Sequence, residues 1–129
     1  MDDQQLIDAA LAVREHAHCP YSGFRVGAAL IDNTGQMHIG CNVENASYPQ
    51  GNCAETSAIG AMVAAGGKTI VTIAVAGGRE KVRACTPCGG CRQRINEFAD
   101  ENTRILVIDD NNDWHTYTME ELLPASFHL

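Results

Sequence analysis

Apolar residues near the start of the chain recur at helical spacing: Leu6, Ile7, Ala10 and Leu11, with Arg14 on the same line. This predicts a helix over 2–18, capped by Asp2 or Asp3 and stopped by Pro20. The run 26–31 has strand length. The turn-forming residues Asp32-Asn33-Thr34-Gly35 separate it from a second strand over 37–43, so the two predict a hairpin. Residues 44–52 are polar and contain Pro49 and Gly51, the composition of a loop. A second helix is expected from about Cys53 through Val63, ended by Gly66-Gly67. It is rich in Ala and apolar on several sides, which suits burial within the domain. The unbroken β-branched run 70–76 reads as a central strand covered on both faces, followed by a charged loop over 77–86. A third helix from about Cys88 to Asp100, a strand over 104–108, a polar turn over 109–113 and a short edge strand over 114–117 come next. Thr118-Met119-Glu120-Glu121 has the capping-box pattern, so a brief helix over 119–123 is expected, ended by Pro124. The order is helix, strand, strand, helix, strand, helix, strand, strand. It predicts one α/β domain over 1–129, a mixed sheet with helices on both faces.

The 129 residues carry a formal net charge of -7, which disfavours a polyanionic partner and predicts no nucleic-acid binding. No apolar run is long enough to span a bilayer, so no membrane partner is expected. The start Met1-Asp2-Asp3 lacks the basic and apolar regions of an export signal, and a cytoplasmic location is the expectation. Six cysteines in such a chain predict reduced thiols and a metal in preference to disulfides.

The chemistry concentrates in Cys53-Ala54-Glu55 and Pro87-Cys88-Gly89-Gly90-Cys91. Three thiolates from Cys53, Cys88 and Cys91 can hold one Zn²⁺ and leave its fourth tetrahedral position open, the catalytic arrangement. Water on such an ion loses a proton near neutral pH. Glu55, two residues past the first thiolate, is the candidate proton carrier. Cys88 and Cys91 are three apart, a spacing that puts both on one face of a helix, and Pro87 suits that helix's first turn. Cys53 at a second helix start would gain thiolate character from the helix dipole. Two other readings stay open. Cys-x-x-Cys alone can be a redox pair, and Cys85 could close a four-cysteine structural zinc site. Pro87 disfavours the second by holding Thr86 extended and turning Cys85 away. Cys19 and Cys41 read as small hydrophobes or free thiols. His16, His18, His38, His115 and His128 do not cluster and read as surface or satisfied residues.

A Cys-x-Glu followed by Pro-Cys-x-x-Cys is the zinc signature of nucleobase deaminases. The segments 21–30, 40–49, 52–55, 87–93 and 122–127, in this order, resemble the small homotetrameric cytidine deaminases over nearly the whole chain. The resemblance implies a three-layer α/β/α sandwich with a mixed five-stranded sheet, one zinc per chain, and a homotetramer with shared active sites. It implies hydrolytic deamination of cytidine and 2′-deoxycytidine to uridine and 2′-deoxyuridine, with release of ammonia, in pyrimidine salvage. Phe24 would lie against the pyrimidine ring, and Asn42 and Glu44 would bind the ribose 3′-hydroxyl. The Ala54 carbonyl would hold the exocyclic amine. Tyr48 and Phe127 would reach the nucleoside from neighbouring subunits. Glu55 would serve as base and then as acid. A related nucleoside such as blasticidin S, or a zinc-stabilised module without activity, are the alternatives. One position departs from the resemblance: many relatives with three zinc cysteines carry Arg directly after Cys-Ala-Glu, and here it is Thr56. The surplus negative charge would then fall to the helix dipoles, or to Arg92 or Arg94.

Overall fold

The computed structural model describes residues 2–129. Its first helix, α1 (Asp3–Arg14), starts with a complete capping box. The Asp2 side chain accepts the Gln5 N–H, and the Gln5 side chain accepts the Asp2 N–H. It ends four residues earlier than the periodicity suggests. Arg14 is buried, because its Nη2 donates to the carbonyls of Gly78 and Arg79, each at 2.8 Å. Strands β1 (Arg25–Asp32) and β2 (Met37–Cys41) form the expected hairpin. They are followed by α2 (Ala54–Ala64), β3 (Ile70–Gly78), α3 (Gly89–Phe98), β4 (Arg104–Ile108), β5 (Trp114–Tyr117) and the short α4 (Met119–Leu122). A 3-10 turn over Tyr48–Gln50, unmarked in the sequence pattern, interrupts the loop before α2. Gly66 closes α2 with φ of 92°, while its N–H bonds the Val63 carbonyl and that of Gly67 bonds the Met62 carbonyl.

The five strands lie in the order β2-β1-β3-β4-β5. Only β3 and β4 pair in parallel. Period-two alternation sorts the side chains to two cores. Ala28, Leu30, Ile73, Val75, Ile105 and Val107 face α2, α3 and α4. Ala29, Ala74, Ala76, Leu106 and Ile108 face α1. The sheet is thus a middle layer between one helix and three, as expected. Helix α2 packs into the domain through Ala54, Ala58, Ile59 and Met62, but not on every side. Gly60, Ala61, Val63 and Ala64 are exposed, so one apolar side of that helix has no cover within the chain. Among the described residues no helix is long and apolar enough to cross a membrane.

β2 and β3 each run antiparallel to β1, so they point the same way. The helices that follow them, α2 and α3, therefore begin at the same end of the sheet. That shared direction brings Cys53 and Cys88 together, although they are far apart in sequence.

Candidate metal centre and cavity

Cys53 and Cys88 are the N-cap residues of α2 and α3, and neither side chain is used as a cap. Both sulfurs are therefore free at helix ends that carry partial positive charge. Cys91 follows in the first turn of α3 and is buried. Pro87 is not in the first turn as read from the sequence but two residues before it, because the helix starts at Gly89. The three Sγ atoms lie within 4.8 Å of one another. Sulfurs about 2.3 Å from a tetrahedral zinc stand about 3.8 Å apart, so the cluster fits this ion with small side-chain adjustment. The cysteines share their protons unequally. Hydrogen bonding from Cys91 brings the Cys53 thiol down to about 6, with Cys88 and the charge of Arg94 acting in the same sense. Cys91 is pushed up, first by that same bond and then by burial. Of the two, Cys53 is the one that gives up its proton more readily. Cys85 lies outside this three-sulfur group. It is half-buried, with burial raising its thiol pKa, and it lines the adjacent cavity.

That cavity measures about 630 Å³, within the range of small-molecule sites. The three cysteines, Glu55 and the Ala54 backbone form one wall. Glu55, in the first turn of α2, is 3% exposed. Burial raises its carboxyl pKa above the usual range, and the nearby Cys53 charge raises it further, against its own backbone N–H, Cys91 and Arg94. The result is a carboxyl group able to change protonation beside the cysteines.

Phe24, Asn42, Glu44 and Tyr48 also line the cavity. Asn42 holds Phe24 in place: its Nδ2 donates to the Phe24 carbonyl at 2.8 Å, and its Oδ1 accepts the Val26 N–H at 2.8 Å. Glu44 accepts the N–H groups of Tyr21 and Ser22 and the Ser22 hydroxyl, the last at 2.5 Å. The Ser22 hydroxyl is the main reason its carboxyl stays well ionised. The sequence gives no sign of this part for Ser22, since a serine in a glycine-containing turn makes no pattern. Nor did the sequence mark Arg83, whose guanidinium carbon stands 5.7 Å from the Phe24 ring centroid, on the irregular loop after β3. Tyr48 is 77% exposed at the rim of its own chain's cavity, edge-on to Tyr21. Phe127 is not among the residues lining this cavity. It is 69% exposed, and its carbonyl accepts Gln93 Nε2 at 3.1 Å.

The departure at Thr56 also leaves a trace. Its Oγ1 is buried and makes no hydrogen bond among the described residues. Of the two arginines considered, Arg92 is fully engaged elsewhere. Arg94 is the one whose charge favours the ionised forms of Cys53 and Glu55. Its Nη1 lies 3.1 Å from where a Cβ on Gly90 would stand, so the bare glycine leaves room for the guanidinium beside the first turn of α3.

The family model described as the cytidine and deoxycytidylate deaminase zinc-binding region matches residues 1–107. The chain belongs to the cytidine and deoxycytidylate deaminase family. Within that family it is 41% identical to a cytidine deaminase of Halalkalibacterium halodurans, over 98% of this chain and 95% of the relative. It is 43% identical to a probable cytidine deaminase of Dictyostelium discoideum, over 96% and 82% of the two chains. The crystal structure of cytidine deaminase from Burkholderia pseudomallei superposes with a TM-score of 0.89 at 41% identity, covering 98% of this chain and all of that one. That from Mycobacterium tuberculosis gives a TM-score of 0.85 at 34% identity, covering 100% and 99%. The deaminase fold thus extends over the whole described chain, beyond the matched zinc-binding region.

Proposed function

We propose that this chain is a zinc-dependent cytidine deaminase that converts cytidine and 2′-deoxycytidine to the uridines and ammonia. The observation that carries the reading is a buried carboxyl, Glu55, in the wall of a nucleoside-sized cavity beside three clustered cysteine sulfurs. Cys53, Cys88 and Cys91 would hold the zinc, which supplies a Lewis acid and an activated water at near-neutral pH. Glu55 would take one proton from the water that adds to C4 and deliver it to N3 of the base, then take the second from the new C4 hydroxyl and deliver it to the amine, which leaves as ammonia as the C4 carbonyl forms. Phe24 packs on the pyrimidine, and the Ala54 carbonyl accepts a hydrogen bond from the exocyclic amine. Asn42 and Glu44 turn their unused hydrogen-bonding capacity to the ribose. A net charge of -7 suits an uncharged nucleoside better than a phosphorylated one.

The chain would act as a homotetramer with one zinc and one active site per subunit, completed by Tyr48 and Phe127 of neighbours. The uncovered apolar side of α2 and the exposure of both aromatic rings support this assembly. Pyrimidine salvage in the cytoplasm is the proposed setting. The direct test is the ultraviolet change as cytidine becomes uridine, with and without a zinc chelator. Turnover that the chelator abolishes and zinc restores is expected. A folded, zinc-loaded protein that leaves cytidine and deoxycytidine unchanged would overturn the reading.

A further inference from the structure

Arg92 is the fourth residue of α3, one turn past Cys88, and its backbone N–H bonds the Cys88 carbonyl at 2.9 Å. Its guanidinium does not serve the sulfur cluster. Nε donates to the Pro87 carbonyl at 2.8 Å, and Nη2 to the Thr86 hydroxyl at 3.0 Å. Nη1 donates to the Leu122 carbonyl at 2.8 Å, joining a segment 30 residues away. Such a planar fork holds three oxygens in fixed relative positions, which a single ammonium head cannot do.

Both ends of this clamp matter. Thr86 and Pro87 lead directly into Cys88, the exposed member of the sulfur cluster. Proline fixes its own φ, and the clamp fixes its carbonyl, so the peptide entering Cys88 is held from both sides. Leu122 is the last residue of α4, where a carbonyl has no partner within the helix, and Arg92 supplies one. From there the chain passes Pro124 to Phe127, whose carbonyl is held by the neighbouring Gln93. Two consecutive side chains of α3 thus hold both ends of the C-terminal tail.

We propose that Arg92 is a positioning residue that ties the Cys88 loop to the C-terminal tail, so that metal retention and tail placement depend on one guanidinium. The tail's part in substrate binding rests on the deaminase reading; the metal's part does not. The test uses purified zinc-loaded protein. It follows zinc transfer to a chromogenic chelator, hydrogen exchange over 122–127, and KM and kcat for cytidine. Arg92→Gln is expected to release zinc about tenfold faster or more, the usual consequence of losing a group that orients a ligand. It should also exchange faster over 122–127 and show a raised KM. Arg92→Lys should follow it, since charge without the fork does not restore the clamp. Gln93→Ala should raise KM and leave zinc release as in the native chain. An Arg92→Gln protein with native zinc release and native exchange over 122–127 overturns the proposal, as does full restoration by lysine. If Arg92→Gln fails to fold, Thr86→Val decides: it deletes one bond of the clamp, so faster zinc release supports the inference and a native rate overturns it. If the native chain has no cytidine turnover, the deaminase reading falls, while zinc release and exchange still judge Arg92.

Discussion

Glu55 is buried beside three sulfurs yet lies outside their cluster, the placement that the proposed proton transfer needs. Glu55→Gln is expected to keep zinc and fold and to lose at least about 10²–10⁴-fold in kcat, the usual loss of a single proton-transfer group. Near-native turnover by a fully zinc-loaded variant would remove Glu55 from the reaction. The cysteines divide by their geometry in the same way. Cys53→Ala, Cys88→Ala and Cys91→Ala should each lower zinc content on dialysis. Cys85→Ala, whose sulfur is outside the cluster, should retain one zinc per chain. Equal metal loss in all four would reinstate a four-cysteine site. At this scale the sequence was informative wherever chemistry restricts the residue type, as it does with thiolates for zinc. It was silent on Ser22 and Arg83, whose roles come from what lies beside them.

At the scale of elements, two glycines let helices approach the sheet. A Cβ on Gly27 would stand 2.1 Å from the Ala10 carbonyl oxygen of α1, and one on Gly40 would stand 2.4 Å from the Ala58 nitrogen of α2. Both are backbone atoms, so a helix must move. Gly27→Ala and Gly40→Ala are each expected to cost about 1–3 kcal/mol or more in urea unfolding. Only Gly40→Ala should also depress kcat, because α2 carries Glu55 and α1 carries none of the site. Equal effects on kcat would count against this division of the two faces. The β1–β2 turn sets an acid limit on stability. Asp32 accepts the Thr34 hydroxyl and the N–H groups of Thr34 and Gln36, and pairs with His38 at 2.8 Å. The Thr34 hydroxyl, then His38, hold its carboxyl far below the usual range. A depressed carboxyl stabilises the fold above its unfolded pKa of about 3.9 and loses that contribution as pH falls below it. The urea midpoint of the native chain should therefore fall more steeply below about pH 4 than that of Asp32→Asn. Parallel curves would show that Asp32 contributes no such linkage. The strands and the capping residues of α1 and α4 were legible because alternation and local polar pairs are properties of neighbouring residues. The early end of α1 was not, since the His18 backbone leaves the helix to bond the Asn42 carbonyl and the Glu44 N–H, more than twenty residues away.

For the whole molecule, the exposed apolar side of α2 and the outward Phe127 lead to the proposed assembly. Sedimentation should give a mass near four times the 13.9 kDa chain. If Phe127 completes a neighbour's site, Glu55→Gln and Phe127→Ala chains mixed and reassembled should regain activity beyond the sum of the two alone. No gain in demonstrably mixed tetramers would assign Phe127 to its own subunit. The sequence by itself determined the element order, the helix caps and the ligand types, because each depends on residue chemistry and short-range spacing. It also carried the family signature, through motifs in a fixed order. Only the tertiary structure decided how the two cysteine segments meet. β2 and β3 point the same way on either side of β1, and strand direction within a sheet is a matter of pairing between distant segments. It likewise decided which arginine serves which partner. Arg92 and Arg94 are two residues apart on one helix, yet one clamps the tail and the other favours the ionised Cys53. A long, flexible side chain takes its role from the oxygens and charges that folding brings within its reach.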